Sequence, residues 1–157
     1  MNKIVLVTGA SRGIGLEVAK LFSKEGYKVI GTSRGDFNLG DLIGDSSAIS
    51  VQLDLMSKES INDLFELLKS KDILPSVLIN NAGITKDQLF LRMKDKDWDE
   101  VIETNLNGLF RVTKALIKPM VKNKFGRVIN ISSVAGLMGN PGQVNYSSSK
   151  SAMIGFS

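Results

Sequence analysis

The chain has 157 residues, 43% hydrophobic and 23% charged, a balance that fits one globular domain with a real core and excludes disordered and fibrous classes. It contains no cysteine and no histidine, which excludes disulfides, thiolate chemistry, imidazole bases, Ser-His-Asp triads and zinc sites built on these residues. The net charge of +4 fits phosphate-bearing cofactors, an acidic partner or a solvated basic surface, and no interleaving of basic and aromatic residues points to nucleic acid.

In chain order, IVLV (4–7) reads as a buried strand, too short for a signal-peptide core or a membrane span, so the protein is expected to be soluble and cytoplasmic. It runs into TGASRGIG, with Gly9, Gly13 and Gly15 at a turn and helical periodicity from Ile14 to about Lys24. Glycine there permits positive φ and a close approach of ligand to backbone, and the free N–H groups and dipole of a helix start attract phosphate. The spacing is G-x-x-x-G-x-G rather than G-x-G-x-x-G, so the residues alone fit either a dinucleotide cradle or a tight turn. The second strand, KVIG (28–31), ends in Thr32, Ser33 and Arg34, where an NAD site places a carboxylate against the ribose 2′-hydroxyl. Without that carboxylate a 2′-phosphate can pair with Arg34 and Arg12, which favours NADP unless both arginines are merely solvated.

Residues 33–47, SRGDFNLGDLIGDSS, read as a connection. After the third strand, AISVQL (48–53), Asp54 and its neighbours offer caps for a helix in which Ile61, Leu64, Phe65 and Leu68 repeat at helical spacing. The fourth strand, SVLIN (76–80), leads into NNAG, by itself compatible with a simple turn. A second helical stripe runs through Val101, Ile102, Asn105, Leu106, Leu109, Phe110 and Thr113; Leu106, Leu109 and Phe110 belong to core or a subunit interface, and Asn105 is open to a structural or a chemical role. The fifth strand, RVINIS (127–132), places Ser132 and Ser133 at its carboxyl end, where open parallel sheets bind ligands. Tyr146 and Lys150 follow one helical turn apart, either as a solvated face or as a phenol whose ionisation, normally at about pH 10, a neighbouring ammonium brings nearer neutrality. Alternating β and α segments with continuously apolar strands imply one α/β domain over 1–157, a parallel sheet covered by helices on both faces.

TGASRGIG (8–15), NNAG (80–83), Asn105 in ETNLNG, Ser133 in INISS and YSSSK (146–150), in that order, closely resemble the short-chain dehydrogenase/reductase family over essentially the whole chain. The resemblance implies a doubly wound, Rossmann-like sheet and the oxidoreductase chemistry of the family. It assigns catalysis to Ser133, Tyr146, Lys150 and Asn105: Tyr146 as proton donor, Lys150 on the phenol and the nicotinamide ribose, Ser133 on the substrate carbonyl, and Asn105 as anchor for a proton-relaying water. It assigns cofactor contacts to Gly9, Ser11, Arg12, Gly13, Ile14, Gly15, Ser33, Arg34, Asp54, Leu55, Asn80, Ala82 and Gly83, with Tyr146 and Lys150.

The stretches NNAGITKDQLFLRMKDKDWDEVIETNLNGLF and GLMGNPGQVNYSSSK are most similar to the branch of the family that reduces 3-oxoacyl groups on acyl carrier protein with NADPH. Another short-chain reductase, of a sugar, steroid or free ketone, and a noncatalytic nucleotide-binding module are the alternatives. Lys122, Lys124 and Arg127 are the expected contacts for an acidic carrier near the mouth of the site. Because family members continue past the Tyr-Lys helix with further strands and a substrate-covering segment, the chain is expected to be C-terminally incomplete and, at full length, a homo-oligomer. At 1–157 it is expected to leave RVINIS as an open, aggregation-prone edge and to bind NADPH weakly without turnover.

Overall fold

The computed structural model describes residues 3–157. Five strands, β1 (Ile4–Thr8), β2 (Lys28–Ser33), β3 (Ile49–Gln52), β4 (Val77–Asn80) and β5 (Arg127–Asn130), form one parallel sheet in the order β3-β2-β1-β4-β5. The helices are α1 (Gly13–Lys24), α2 (Leu39–Ile43), α3 (Lys58–Ser70), α4 (Asp95–Ile102), α5 (Leu109–Lys122), α6 (Ala135–Met138) and α7 (Val144–Phe156), with a 3₁₀ turn at Phe90–Arg92. Among the described residues no helix is long and apolar enough to cross a membrane.

The side-chain alternation of β1 builds both halves of the core. Ile4 and Leu6 pack with Ile61, Leu64 and Leu68 of α3 and Val112, Leu116 and Met120 of α5. Val5 and Val7 point the other way, onto Ala19 of α1 and Leu39 of α2. Every residue of β1 and β4 is buried, and β1 lies at the centre of the sheet, which is why these strands read as unbroken apolar runs. β5 is an edge strand among the described residues, with Ile129 44% exposed, in keeping with the open edge expected of RVINIS.

The structure refines three of the expected elements. The connection 33–47 contains α2, anchored by the fully buried Leu39 and capped by Asn38, whose Oδ1 accepts the Asp41 N–H. The cap of α3 is Ser57, whose Oγ accepts the Ser60 N–H, while Asp54 Oδ1 receives the Met56 N–H just upstream. The stripe through 101–113 is α4 and α5 joined by a π-helical turn, Glu103–Gly108. Widening the helix at that point buries Thr104, Asn105 and Gly108 together, and a Cβ on Gly108 would stand 2.8 Å from the Leu55 carbonyl oxygen.

Glycine fixes how closely α1 approaches β1. A Cβ on Gly15 would lie 2.3 Å from the Gly9 carbonyl oxygen and 2.4 Å from Asn81 Nδ2, whereas one on Gly155 in α7 would meet nothing within 4 Å. Gly15→Ala should therefore destabilise the fold by roughly 1–3 kcal/mol in urea titration. Gly155→Ala should be neutral or stabilising by up to about 1 kcal/mol, as alanine is the better helix former. Equal effects at both positions would contradict this packing.

Candidate active site

A cleft of about 550 Å³ opens at the carboxyl ends of the central strands. Its first wall is the glycine turn, where Gly9 (φ 69°) and Gly13 (φ 59°) hold the left-handed conformation that glycine adopts without strain. The turn is fastened to the segment after β4 by a reciprocal lock. Thr8 Oγ1 accepts the N–H groups of Asn81 and Ala82, each at 3.0 Å, and donates to the Ile79 carbonyl at 3.3 Å. Asn81 Nδ2 returns two bonds, to the carbonyls of Thr8 at 2.9 Å and Gly9 at 3.2 Å.

The start of α1 is built to receive an anion. Its N-cap, Arg12, makes no side-chain cap and the first turn contains no acid, so the first N–H groups face the cleft with a cation beside them. Thr32, Ser33, Arg34 and Gly35 from the end of β2 and its continuation form the opposite wall, and no carboxylate lines the cleft among the described residues. Leu53, Leu55, Ala82, Gly83, Ile84 and Thr104 complete it; Thr104 Oγ1 is buried there without a hydrogen-bond partner.

Of the residues expected to hold a cofactor, Gly9, Ser11, Arg12, Gly13, Ile14, Ser33, Arg34, Leu55, Ala82 and Gly83 line this cleft. Gly15 stands behind it as the contact that seats α1. Asn80 is directed elsewhere, and Asp54 borders an adjoining depression together with Arg34. Asn80 Nδ2 bonds Thr113 Oγ1 at 3.0 Å and Asn130 Oδ1 at 2.8 Å inside the sheet layer, and the Asp54 carboxylate is exposed beside its own loop. The expectation passed over Asn81 and Thr8, whose signal lay within NNAG and TGAS: polar side chains at the ends of buried strands, where sheet hydrogen bonding stops.

The residues expected to carry chemistry gather beyond Gly83. The Asn105 amide grips the Ile84 peptide on both sides, accepting its N–H at 2.8 Å and donating to its carbonyl at 2.9 Å, and its other N–H reaches Ser149 Oγ at 3.1 Å. Ser149 Oγ in turn donates to the Tyr146 carbonyl at 2.7 Å. Lys150 is 3% exposed; its Nζ donates to the Ile131 carbonyl at 2.6 Å and stands 5.8 Å from the centre of the Tyr146 ring. Ser133, two residues beyond Ile131, accepts the Ala135 N–H at its hydroxyl. Asn145, fully buried, ties the start of α7 down: Nδ2 donates to the carbonyls of Lys86 and Asp97, and Oδ1 accepts the Tyr146 N–H. Neither Asn145 nor Ser149 stood out in sequence, since their importance comes from partners far along the chain.

Lys122, Lys124 and Arg127 do not lie at the mouth of this cleft. Arg127 pairs with Val77 at the beginning of β4, and its N–H donates to the Ser76 carbonyl, so it sits at the amino edge of the sheet. Lys122, the last residue of α5, and Lys124 immediately precede it. In a parallel sheet residues just before any strand share one edge and residues just after share the other, a full strand length away.

A parallel sheet wound on both faces, with a glycine turn opening onto an uncapped basic helix start, defines a Rossmann-like α/β domain. Its orphaned Thr104 hydroxyl, glycine cradle and cationic walls fit a nicotinamide dinucleotide. The chain belongs to the short chain dehydrogenase family, whose family model matches residues 3–157. It is 45% identical over 159 residues to the 3-oxoacyl-[acyl-carrier-protein] reductase FabG of Salmonella typhimurium, covering 99% of this chain and 65% of that protein. The corresponding figures are 44%, 99% and 65% for FabG of Escherichia coli, and 46%, 98% and 65% for the 3-oxoacyl-[acyl-carrier-protein] reductase of Synechocystis. The chain thus spans about 65% of the length of these relatives.

Burial pushes the Lys150 ammonium below its usual range. Between its folded value and the ordinary value of 10.5 the unfolded state binds more protons, so this residue adds stability as pH rises through that window and penalises the fold below it. The difference in unfolding free energy between the parent and Lys150→Met should change with pH in that window and be flat below it. A difference independent of pH up to 10.5 would show that Lys150 is not held in a desolvated site.

Proposed function

We propose that the polypeptide carrying this sequence reduces a 3-oxoacyl group on acyl carrier protein to its 3-hydroxyacyl form, with NADPH as the reductant, as a cytoplasmic homo-oligomer. The observation that carries the reading is Lys150, buried and one turn from Tyr146, beside the segment that bears Ser133 and next to a cleft walled by arginines. The relatives' names support the substrate. The absence of a cleft carboxylate, with Arg12 and Arg34 present, supports a 2′-phosphorylated cofactor. Exposed Phe110, Ile117 and Val121 on α5 support association.

When bound, NADPH supplies the hydride. Tyr146 gives its hydroxyl proton to the substrate oxygen as that oxygen gains charge, and Ser133 donates a hydrogen bond to the same oxygen, orienting it. The Lys150 ammonium stabilises the phenolate left behind and would hydrogen-bond the ribose of a bound cofactor. The Asn105 amide is already engaged by Ile84 and Ser149, so it acts by holding the Gly83–Ile84 segment against Lys150. A water anchored at Asn105 has only the second Oδ1 lone pair or the backbone to use. A carrier docked at this cleft meets its carboxyl-edge residues; Lys122, Lys124 and Arg127 can serve only a carrier approaching from the far edge.

In the full polypeptide, Arg34→Ala should weaken NADPH by roughly 10- to 100-fold, the worth of a charged hydrogen bond, and leave NADH nearly unchanged. Tyr146→Phe should abolish ketone reduction with cofactor affinity held within a few-fold. NADH binding as tight as NADPH, or near-normal turnover without the phenol, would overturn the reading. Turnover on carrier-bound substrate should fall steeply with salt while turnover on a small thioester does not; parallel curves would argue for a different substrate.

A further inference from the structure

The segment that carries Ser133 and the residue Lys150 hold each other by three separate contacts. Lys150 Nζ donates to the Ile131 carbonyl at 2.6 Å, and Ser132 Oγ donates back to the Lys150 carbonyl at 2.9 Å. Gly136 in α6 then lies flat on the backbone of α7: a Cβ there would stand 2.7 Å from the Lys150 carbonyl carbon, 2.8 Å from the Ser151 nitrogen and 3.0 Å from Lys150 Cβ. Two of the three are peptide atoms inside a helix, which cannot swing aside as the end of a flexible side chain can. The absent methyl therefore fixes the spacing between α6 and α7 to a few tenths of an ångström, directly at Lys150.

We propose that Ser132 and Gly136 are positioning residues that grip the Lys150 backbone, setting the distance between Ser133 on one segment and Tyr146 and Lys150 on the other. The assignment deepens the proposed reductase function and rests on it for its effect on turnover. Neither residue need touch substrate or cofactor. Each acts through the register of two short elements, where a displacement approaching 1 Å costs on the order of 10²-fold in rate.

The test compares Gly136→Ala with Ser132→Ala and with a control, Gly126→Ala. Gly126 lies just before β5 at the far edge of the sheet, and a Cβ there would press on the side chain of Met120, 2.5 Å from its Cβ. The control thus carries packing strain without touching the grip. The first readout needs no turnover: the Lys150 side chain is followed by NMR with ¹³C-labelled lysine in a pH titration, its signal assigned from Lys150→Arg. Burial holds this group below the ordinary lysine range; the Tyr146 ring faces it from its own helix, and Gly83 and Asn105 face it as neutral groups. Lys86, Asp87 and Asp97, which accept hydrogen bonds from Gln143 and Asn145 around the start of α7, are the same in every variant.

Parting α6 from α7 admits water, so in Gly136→Ala the Lys150 midpoint should move up toward the ordinary value, and in Gly126→Ala it should stay. The second readout is kinetic, on the full polypeptide: Gly136→Ala should lower kcat by roughly 10- to 100-fold with KM within about 3-fold, and Ser132→Ala should lower kcat by about 3- to 10-fold. Gly126→Ala should retain parental kcat. If Gly136→Ala fails to fold, Ser132→Ala, which adds no atom, carries both readouts. A Lys150 midpoint and kcat unchanged in Ser132→Ala and Gly136→Ala, or shifted equally in Gly126→Ala, would overturn the grip. Absence of turnover in the parent protein would instead remove the reductase reading, and the titration alone would still decide the grip.

Discussion

The arrangement depends first on the hydroxyl of Thr8. Placed at the end of the central strand and 1% exposed, it accepts two N–H groups from the segment after β4 and donates to the end of β4 itself. All of its hydrogen-bonding capacity is thereby filled inside the protein. With the returning Asn81 amide it joins the glycine turn to residues 81–84, and Asn105 joins those same residues to the π-helical turn and, through Ser149, to α7. The cleft walls and the Tyr146–Lys150 pair thus belong to one connected polar network rather than to two independent loops. Buried networks of this sort are specific because every unsatisfied member carries a desolvation penalty.

The sheet supplies the direction in which this network must lie. Parallel strands end together, so the glycine turn, the end of β2, residues 81–84 and the Ser133 segment emerge at one edge although they are scattered through the sequence. The same rule removes Lys122, Lys124 and Arg127 to the other edge. Their position was derivable from the sequence once the strands were taken as parallel, because residues just before a parallel strand lie at its amino edge. The length of β5, Arg127–Asn130, separates the two cases.

What could be read from the residues followed burial on both faces. β1 and β4 announce themselves because nothing polar interrupts them, and α3 because Ile61, Leu64 and Leu68 repeat on one side. α2 does not, since a five-residue helix anchored chiefly by Leu39 leaves too short a period to detect. The π-helical turn is hidden for a related reason: an added residue in a helical turn changes which side chains point inward without changing composition, and Asn105 inside an apolar stripe was its one visible sign. Asn80 and Asn81 differ by one position and so face opposite ways, and only the folded sheet distinguishes the one bonded to Thr113 from the one that locks the glycine turn. The grip at Gly136 was invisible because a glycine in a short loop-like segment has many possible reasons to be there.

Thr8→Val gives the most direct test of the claim that the cleft and the Tyr146–Lys150 pair form one unit. The substitution keeps the shape of the side chain and removes the hydroxyl, which does not line the cleft. Affinity for the proposed cofactor, NADPH, read by calorimetry on the full polypeptide, should fall by roughly 5- to 150-fold, corresponding to the 1–3 kcal/mol of buried groups left unpaired. Turnover should fall with it. A folded Thr8→Val protein with parental NADPH affinity and parental kcat would contradict the account.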